Sequence, residues 1–439
     1  MKFHKKSILV LLYCGIGINA KAQKANDAKY LHQGESALTA VLVHDVFSPP
    51  VASRIYLYSH MAAYEAVIHA PNQEAYVSLS KSIKSFPLIQ SPGKPINIEL
   101  ASIAAFYYTA DKFIFSEKML RDSFAIVLKN FQKISKQNPG LYQSSLQYGR
   151  HVADSIIAWS STDNYNITRK IKRYSFSNQP GKWLPTPPAY LAAVEPYWYK
   201  MRTVATDSSS QFAPPPQEFS VEKNSGFYRA AYEVYETGNT LDAERRAIAN
   251  FWDCNPFNVN TSGHLIFARK KLSPGAHWMN ITKLCCKKIN ADLITSAAAY
   301  TMTAIALYDG FIGCWYAKYR DNLLRPETYT NRYIDARWHP LLQTPPFPEY
   351  TSGHSVISTA AAETLTALFG DNFSFDDDTE TLYGLPVRHF KSFMAAANEA
   401  AISRLYGGIH FRDAIVNGQQ TGRQVGEIVI KKIHLLNHK

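Results

Sequence analysis

Apolar residues return at every third and fourth position through most of this chain, in runs bounded by proline or by short polar stretches. That spacing is the helical one. Ala28 to Val46 reads as a helix stopped by Pro49-Pro50, and Ala52 to His69 as a second, with Pro71 after it. Ile96 to Phe113, Ser116 to Ile134 and Leu141 to Trp159 give three more, with Ser116 placed to cap its helix. Helices resume at Leu241 to Trp252, Thr282 to Tyr308, Ser355 to Phe369, Val387 to Tyr406 and Phe411 to Ile433. Alternating, strand-like patterns are rare. The expected fold class is therefore all-α: a large helical domain of two helix bundles packed side by side.

Between these helical stretches, Tyr174 to Glu218 holds eight prolines and little periodicity. Its aromatic content (Trp183, Tyr190, Tyr197, Trp198, Tyr199) favours an ordered connection wrapped on the surface over a free linker. The expected organisation is an N-terminal helical region at 23–220 that includes this connection, and a C-terminal helical bundle at 221–439. Two short echoes occur. Ser53-Arg54-Ile55-Tyr56 with His60 resembles Ser403-Arg404-Leu405-Tyr406 with His410, and Thr261-Ser262-Gly263-His264 repeats Thr351-Ser352-Gly353-His354. Chance matches and remnants of bundle duplication both remain open.

The first residues read as a targeting segment. Lys2, Lys5 and Lys6 precede a mostly apolar Ile8 to Ile18, and Ala20-Lys21-Ala22 has the small-x-small pattern of a cleavage site. Residues 1–22 are thus expected to be a secretory signal peptide, with the mature chain starting near Gln23 and residing outside the cell or in the periplasm. The apolar run is too short to span a bilayer and is interrupted by Gly15 and Gly17, and Tyr13 before Cys14 argues against a lipid anchor. No other run is long enough, so no stable membrane span is expected in the mature chain. Loss of Lys2, Lys5, Lys6 and Lys21 takes the net charge from +12 to +8. That balance favours anionic ligands, and no dense basic run points to nucleic acid. Cys254, Cys285, Cys286 and Cys314 remain, too few for a disulfide framework and without zinc-finger spacing. The adjacent Cys285-Cys286 is read as packing, and no pairing can be deduced.

Three segments carry chemistry: Lys318 to Arg325-Pro326, Tyr350 to Ser355, and Ser403-Arg404 to His410. An oxyanion with delocalised charge needs donors from several directions. Lys318 offers a point charge, and Arg325 and Arg404 offer planar forks. Lys318 and Arg325 lie seven apart, which on a continuous helix puts both on one face. Ser352 offers a hydroxyl and Gly353 an unshielded N–H at the start of a helix, where the dipole favours an anion. Three cations in one pocket repel each other unless an anion sits between them. His354 is suited to acid–base work, and His410 to attack or coordination through one ring nitrogen while a partner orients the other. Each segment alone is a weak signal. Their combination is the specific one.

This ordered set resembles the vanadium-dependent haloperoxidases and the acid phosphatases of the type 2 phosphatidic-acid phosphatase superfamily. The motif region spans Lys318 to Asp413, roughly a quarter of the chain. The length and helix-rich remainder look like the bacterial haloperoxidase branch, especially its iodoperoxidases. The resemblance implies a vanadium haloperoxidase/acid phosphatase-like fold with vanadate as cofactor. Lys318, Arg325, Ser352, Gly353 and Arg404 would bind its equatorial oxygens, His410 would be the axial vanadium ligand, and His354 the acid–base group. Hydrogen peroxide and halide would be the reactants, with iodide or bromide favoured over chloride and a small-molecule acceptor. The alternatives are a secreted acid phosphatase with a phospho-histidine intermediate, and a non-catalytic helical anion-binding protein. Two departures stand out. Thr351 replaces the family's usual proline. The Asp often found four residues after the axial His is replaced by Ala414, which leaves Asp413, one residue earlier, as the candidate partner of His410. His264 and His277 are pocket-wall candidates, read first as packed polar residues. Trp315, Phe347 and Tyr350 are equally core aromatics or halide-pocket walls.

Overall fold

The computed structural model describes residues 27–69, 75–262, 265–268 and 270–435. The expected signal peptide and His264 lie outside them. The helices are α1 (Lys29–His44), α2 (Pro49–Ile68), α3 (Ile98–Asp111), α4 (Glu117–Lys129), α5 (Gln132–Gln137), α6 (Pro139–Ser160), α7 (Tyr165–Thr168), α8 (Gly226–Asn239) and α9 (Ala243–Phe251). They continue as α10 (Pro274–Lys288), α11 (Leu293–Asp321), α12 (Pro326–Tyr333), α13 (Gly353–Phe369), α14 (Phe393–Tyr406) and α15 (Arg412–Lys432). Two small antiparallel pairs complete the described residues: β1 (Val259–Ser262) with β2 (Leu265–Ala268), and β3 (Phe375–Asp377) with β4 (Arg388–Phe390). The chain is all-α, as its periodicity implies.

Several boundaries move for local reasons. Pro49-Pro50 do not simply stop α1; they open α2, because proline fits the first helical positions where no N–H partner is needed. The run from Ser116 breaks after Lys129 into α4 and α5. The expected Thr282 to Tyr308 helix is two helices. Asn290 takes φ +50° after α10, and Asp292 Oδ1 accepts the Thr295 N–H at 2.9 Å to start α11. Arg388 to Phe390, expected helical, is strand β4, and Ser392 caps α14 after it. Three helices were not anticipated: the single turn α7, α8, capped by Ser225, and α12, opened by Pro326. The Tyr174 to Glu218 stretch is a packed loop, with Trp183 and Trp198 fully buried. The buried Asp309 carboxylate of α11 accepts the N–H groups of Val204, Ala205 and Thr206 at 2.7–2.8 Å and ties this loop to the core.

Helix α11 has 29 residues, a rod of about 44 Å at 1.5 Å per residue, and it is buried along most of its length. It packs against α2 on one flank and α13 on another, and α13 in turn carries α14 and α15. One contiguous core therefore runs through both halves of the chain. Arg54 and His60 of the sequence echo are spent on buried pairs within the N-terminal half, at 2.6 Å to Asp163 and 2.6 Å to Glu35. The four described cysteines are buried and unpaired. No described helix is long and apolar enough to cross a membrane.

Glycine lets α15 and α13 approach closely. Gly418, Gly422 and Gly426 repeat every four residues along α15 and let it lie on the backbone of α13. A Cβ on Gly422 would meet Val356 O at 2.3 Å and Ala360 N at 3.1 Å, and one on Gly418 would meet Ser352 O at 3.0 Å. Backbone cannot yield as a side chain can. Gly422→Ala is therefore expected to lower unfolding stability in urea by about 1–3 kcal/mol. Gly140→Ala, where a Cβ meets only Asn138 Oδ1 at 3.7 Å, is expected to leave stability unchanged or raise it.

Candidate oxyanion site

The site begins where α11 ends. Asn322 adopts φ +51° and its N–H closes on Lys318 O at 2.9 Å, after which the chain is extended through Arg325. Lys318 and Arg325 are therefore not neighbours on one helix, as their spacing suggested. They converge because the chain reverses at Asn322, and each cation lies 5.1 Å from the ring centre of Phe347. Pro326 opens the next helix, α12, with Arg325 at its cap position.

Lys318 is buried, and its ammonium donates to the carbonyls of Pro348, Glu349 and Thr351 at 3.0, 3.0 and 2.6 Å. It thereby clamps the turn that delivers Ser352. Cys314 also donates to Thr351 O at 3.5 Å, so this turn is tied down although Thr351 replaces the family's usual proline. The Tyr350–Thr351 peptide is cis. Ser352 caps α13: its Oγ accepts from Ser355 N–H at 3.3 Å, and the two hydroxyls lie 2.8 Å apart. Gly353 is the first helical residue, as its position before the Ser355 run suggested.

His410 sits in the loop between α14 and α15. Its Nδ1 lies 2.8 Å from Glu349 Oε1, which also accepts the Phe411 N–H at 2.9 Å. Asp413, the partner expected from sequence, is not used; its carboxylate accepts from Asn417 Nδ2 at 2.8 Å, one turn further along α15. A carboxylate on Nδ1 favours the tautomer that leaves the lone pair on Nε2. Arg325 Nη1 approaches that Nε2 at 3.1 Å and also donates to Ile409 O at 2.9 Å. Glu349 was missed. The available signal was charge: it is the single carboxylate between Asp335 and Glu363, in the stretch where buried cations need a counter-ion.

On the opposite wall, Arg404 Nη2 donates to Trp252 O at 2.7 Å and Nε to Ser403 Oγ at 2.9 Å. His354 also donates to the Trp252 backbone, and its Nε2 is buried without a protein partner, as is Arg325 Nη2. The Trp252 carbonyl, which no motif marks, thus orients two site residues.

Burial dominates the electrostatics. It pushes Lys318 down to about 8 and Arg325 and Arg404 down to about 10. It holds His354 and His410 well below the usual imidazole range, with neighbouring cations adding to the effect. It lifts Glu349 to about 7 against the pull of Arg325 and Lys318. Each direction reflects the cost of taking a charge out of water. The neutral imidazoles keep lone pairs for coordination or proton transfer. One cavity is lined by Gly353, His354, Arg404 and His410, with Phe257, Phe311, Trp315 and Phe347 as its aromatic wall. Lys318, Arg325 and Ser352 lie behind that lining. Tyr350 does not reach it, and its hydroxyl donates to Pro215 O at 3.0 Å.

A family model described as the VCPO second helical-bundle domain matches residues 330–438. The fold is similar to the crystal structure of the first bacterial vanadium-dependent iodoperoxidase, at 45% sequence identity and TM-score 0.88, covering 94% of this chain and 98% of that one. The holo form of a bacterial vanadium-dependent chloroperoxidase shares the fold at 17% identity and TM-score 0.70, covering 93% and 98% of the two chains. An apo form of a bacterial vanadium-dependent chloroperoxidase does so at 16% and 0.66, covering 88% and 94%. No curated protein matches.

The geometry around His410 makes a direct test. Glu349→Gln removes the charge on Nδ1 while keeping the shape, and is expected to weaken orthovanadate binding about 10–100-fold. Asp413→Asn is expected to leave binding unchanged. Equilibrium titration of the purified chain reads both, and equal effects of the two would remove Glu349 from the site.

Proposed function

This chain belongs to the vanadium-dependent haloperoxidase family, and from that premise we propose that it oxidises halide with hydrogen peroxide, iodide ahead of bromide and chloride, at vanadate held by the cavity of His354, Arg404 and His410. One observation carries the reading. Three cations, Lys318, Arg325 and Arg404, are buried near two carboxylates, Glu349 and Glu327, both close to Arg325, while Asp253 near Arg404 is paired with Lys271 at 2.5 Å. That excess of buried positive charge calls for an anion. The lining fits a tetrahedral oxyanion: Arg325 Nη2 is a buried donor without a protein partner, Gly353 opens a helix toward the cavity, and the unpartnered His354 Nε2 offers a lone pair for proton transfer.

In this reading Arg325, Arg404, Ser352 and the Gly353 N–H would hold the vanadate oxygens, and Lys318, whose three N–H groups are taken by carbonyls, would add its charge from behind the lining. His410 presents its Nε2 lone pair to the central atom, oriented by Glu349. His354, neutral through burial, would take a proton from incoming hydrogen peroxide on its Nε2 lone pair and hand it to the oxygen that leaves as water. Vanadate, when bound, supplies a Lewis acid that polarises the peroxide bond without a change in its own oxidation state. Phe257, Phe311, Trp315 and Phe347 keep water out. Such a wall suits the halide that is cheapest to dehydrate, which is the largest, and the 45%-identical relative is itself an iodoperoxidase. The targeting pattern at residues 1–22 supports action outside the cytoplasm.

Assays with hydrogen peroxide and each halide, with and without orthovanadate, test the proposal. We expect vanadate-dependent oxidation, a higher kcat/KM for iodide than for bromide or chloride, and loss of activity in His410→Ala. Turnover of a phosphomonoester with no halide oxidation would assign the chain to phosphatase chemistry instead. A pH series adds a second test. An anion beside Lys318 raises its pKa above the value of about 8 that burial imposes. Binding above that pH then takes up a proton, so orthovanadate affinity falls as pH rises, by as much as about tenfold per unit. Lys318→Met is expected to show a shallower slope than wild type, because the anion's own ionisation is common to both.

A further inference from the structure

Beside the oxyanion cavity, three side chains from separate elements converge. Cys254 follows α9, His277 lies in the first turn of α10, and Glu380 lies in a 3-10 turn (Thr379–Tyr383) after β3. All three are buried. Cys254 Sγ lies 3.4 Å from His277 Nδ1 and 3.7 Å from Glu380 Oε1, and His277 Nδ1 lies 3.3 Å from Glu380 Oε1. A zinc ion with nitrogen and oxygen ligands at about 2.0–2.1 Å and sulfur at about 2.3 Å, tetrahedrally arranged, places its ligand atoms roughly 3.3–3.6 Å apart. The triangle matches those edges.

We propose that Cys254, His277 and Glu380 form a binding site for a divalent ion of the zinc class, adjoining the oxyanion cavity, whose wall includes Cys254. The surroundings are those of a ligating histidine. His277 Nε2 lies 2.7 Å from Asp377 Oδ2, and Asp377 Oδ1 is held in turn by Thr379 N–H at 3.0 Å and Thr379 Oγ1 at 2.5 Å. A carboxylate on Nε2 leaves the Nδ1 lone pair facing the other two ligands, the arrangement that fixes tautomer and ring orientation around zinc. The ring is locked by stacking on Trp252, with centroids 4.5 Å apart, and by the edge contact with Phe251. A thiolate, an imidazole and a carboxylate together select zinc or cobalt over magnesium or calcium. Three protein ligands leave the fourth position to water. Spacing along the chain carries no trace of the site, because its members come from positions 254, 277 and 380. Its consequence is local: Cys254 lies two residues after Trp252, whose carbonyl accepts from Arg404 at 2.7 Å, so an ion here would brace one wall of the oxyanion cavity.

The full chain should be produced in zinc- or cobalt-supplemented medium without vanadate, dialysed, and assayed by elemental analysis and absorption. We expect one equivalent of either ion. The cobalt form should show the intense visible bands of four-coordinate cobalt and a near-ultraviolet thiolate-to-cobalt band. Cys254→Ser should lose that charge-transfer band, Asp377→Asn should weaken binding about 10–100-fold, and His410→Ala should keep the full equivalent, which separates this site from the vanadate cage. Wild-type protein that retains no stoichiometric ion would overturn the proposal, leaving a hydrogen-bonded triad. So would Cys254→Ser protein that keeps the charge-transfer band. The wild-type spectrum decides even where a variant does not fold.

Discussion

Burial of the Lys318 ammonium and the Arg325 and Arg404 guanidinium groups is the constraint around which this structure is built. Stripping water from one such cation costs several kcal/mol unless other groups replace it. The replacements come from far apart in the chain. Carbonyls of residues 348, 349 and 351 take Lys318, those of 347 and 409 take Arg325, and that of 252 takes Arg404. These bonds solvate the cations only in part, and the Glu349 carboxylate, bonded to His410 and Phe411, acts on Arg325 and Lys318 through charge alone. The cage is thus left with an excess of positive charge in an enclosed space.

The same bonds set the geometry. Each cation doubles as a staple for a loop: Lys318 for the turn into α13, Arg325 for the loop before α15, and Arg404 for the end of α9. The glycines of α15 complete the arrangement by allowing that helix to lie on the first turn of α13, beside Ser352. Rigid loops are a requirement here, since donors aimed at a small anion lose their value when displaced by a fraction of an ångström. The two imidazoles are positioned by different means. His410 is oriented by Glu349, whereas His354 hangs from the Trp252 carbonyl on the opposite wall. Both stay uncharged because burial and the neighbouring cations disfavour the imidazolium.

Much of this was legible without coordinates. The helical period survives in nearly every run, because burying one face of a helix leaves a mark at three- and four-residue spacing whatever the tertiary fold. Errors fell where periodicity has no voice. The Asn290–Asp292 turn divides a run that is apolar on both sides, and Arg388 to Phe390 pairs as a strand within what reads as a helix approach. The start of α12 at Pro326 went unread, although proline serves well as a first helical residue. The seven-residue interval from Lys318 to Arg325 led to the right association by the wrong geometry. A reversal at Asn322, not a shared helix face, brings the two together.

What the amino-acid sequence determined by itself was the helical class, the identity of the charged and imidazole groups, and the start of a helix at Ser352-Gly353, because each is a matter of local pattern and side-chain chemistry. What only the tertiary structure decided was who partners whom. Glu349 rather than Asp413 meets His410, and the Trp252 carbonyl meets both Arg404 and His354. Cys254, His277 and Glu380 come within a ligand's reach of one another. Such pairings depend on where distant segments pack, and a hydrogen bond spanning 61 or 152 residues leaves no local signature.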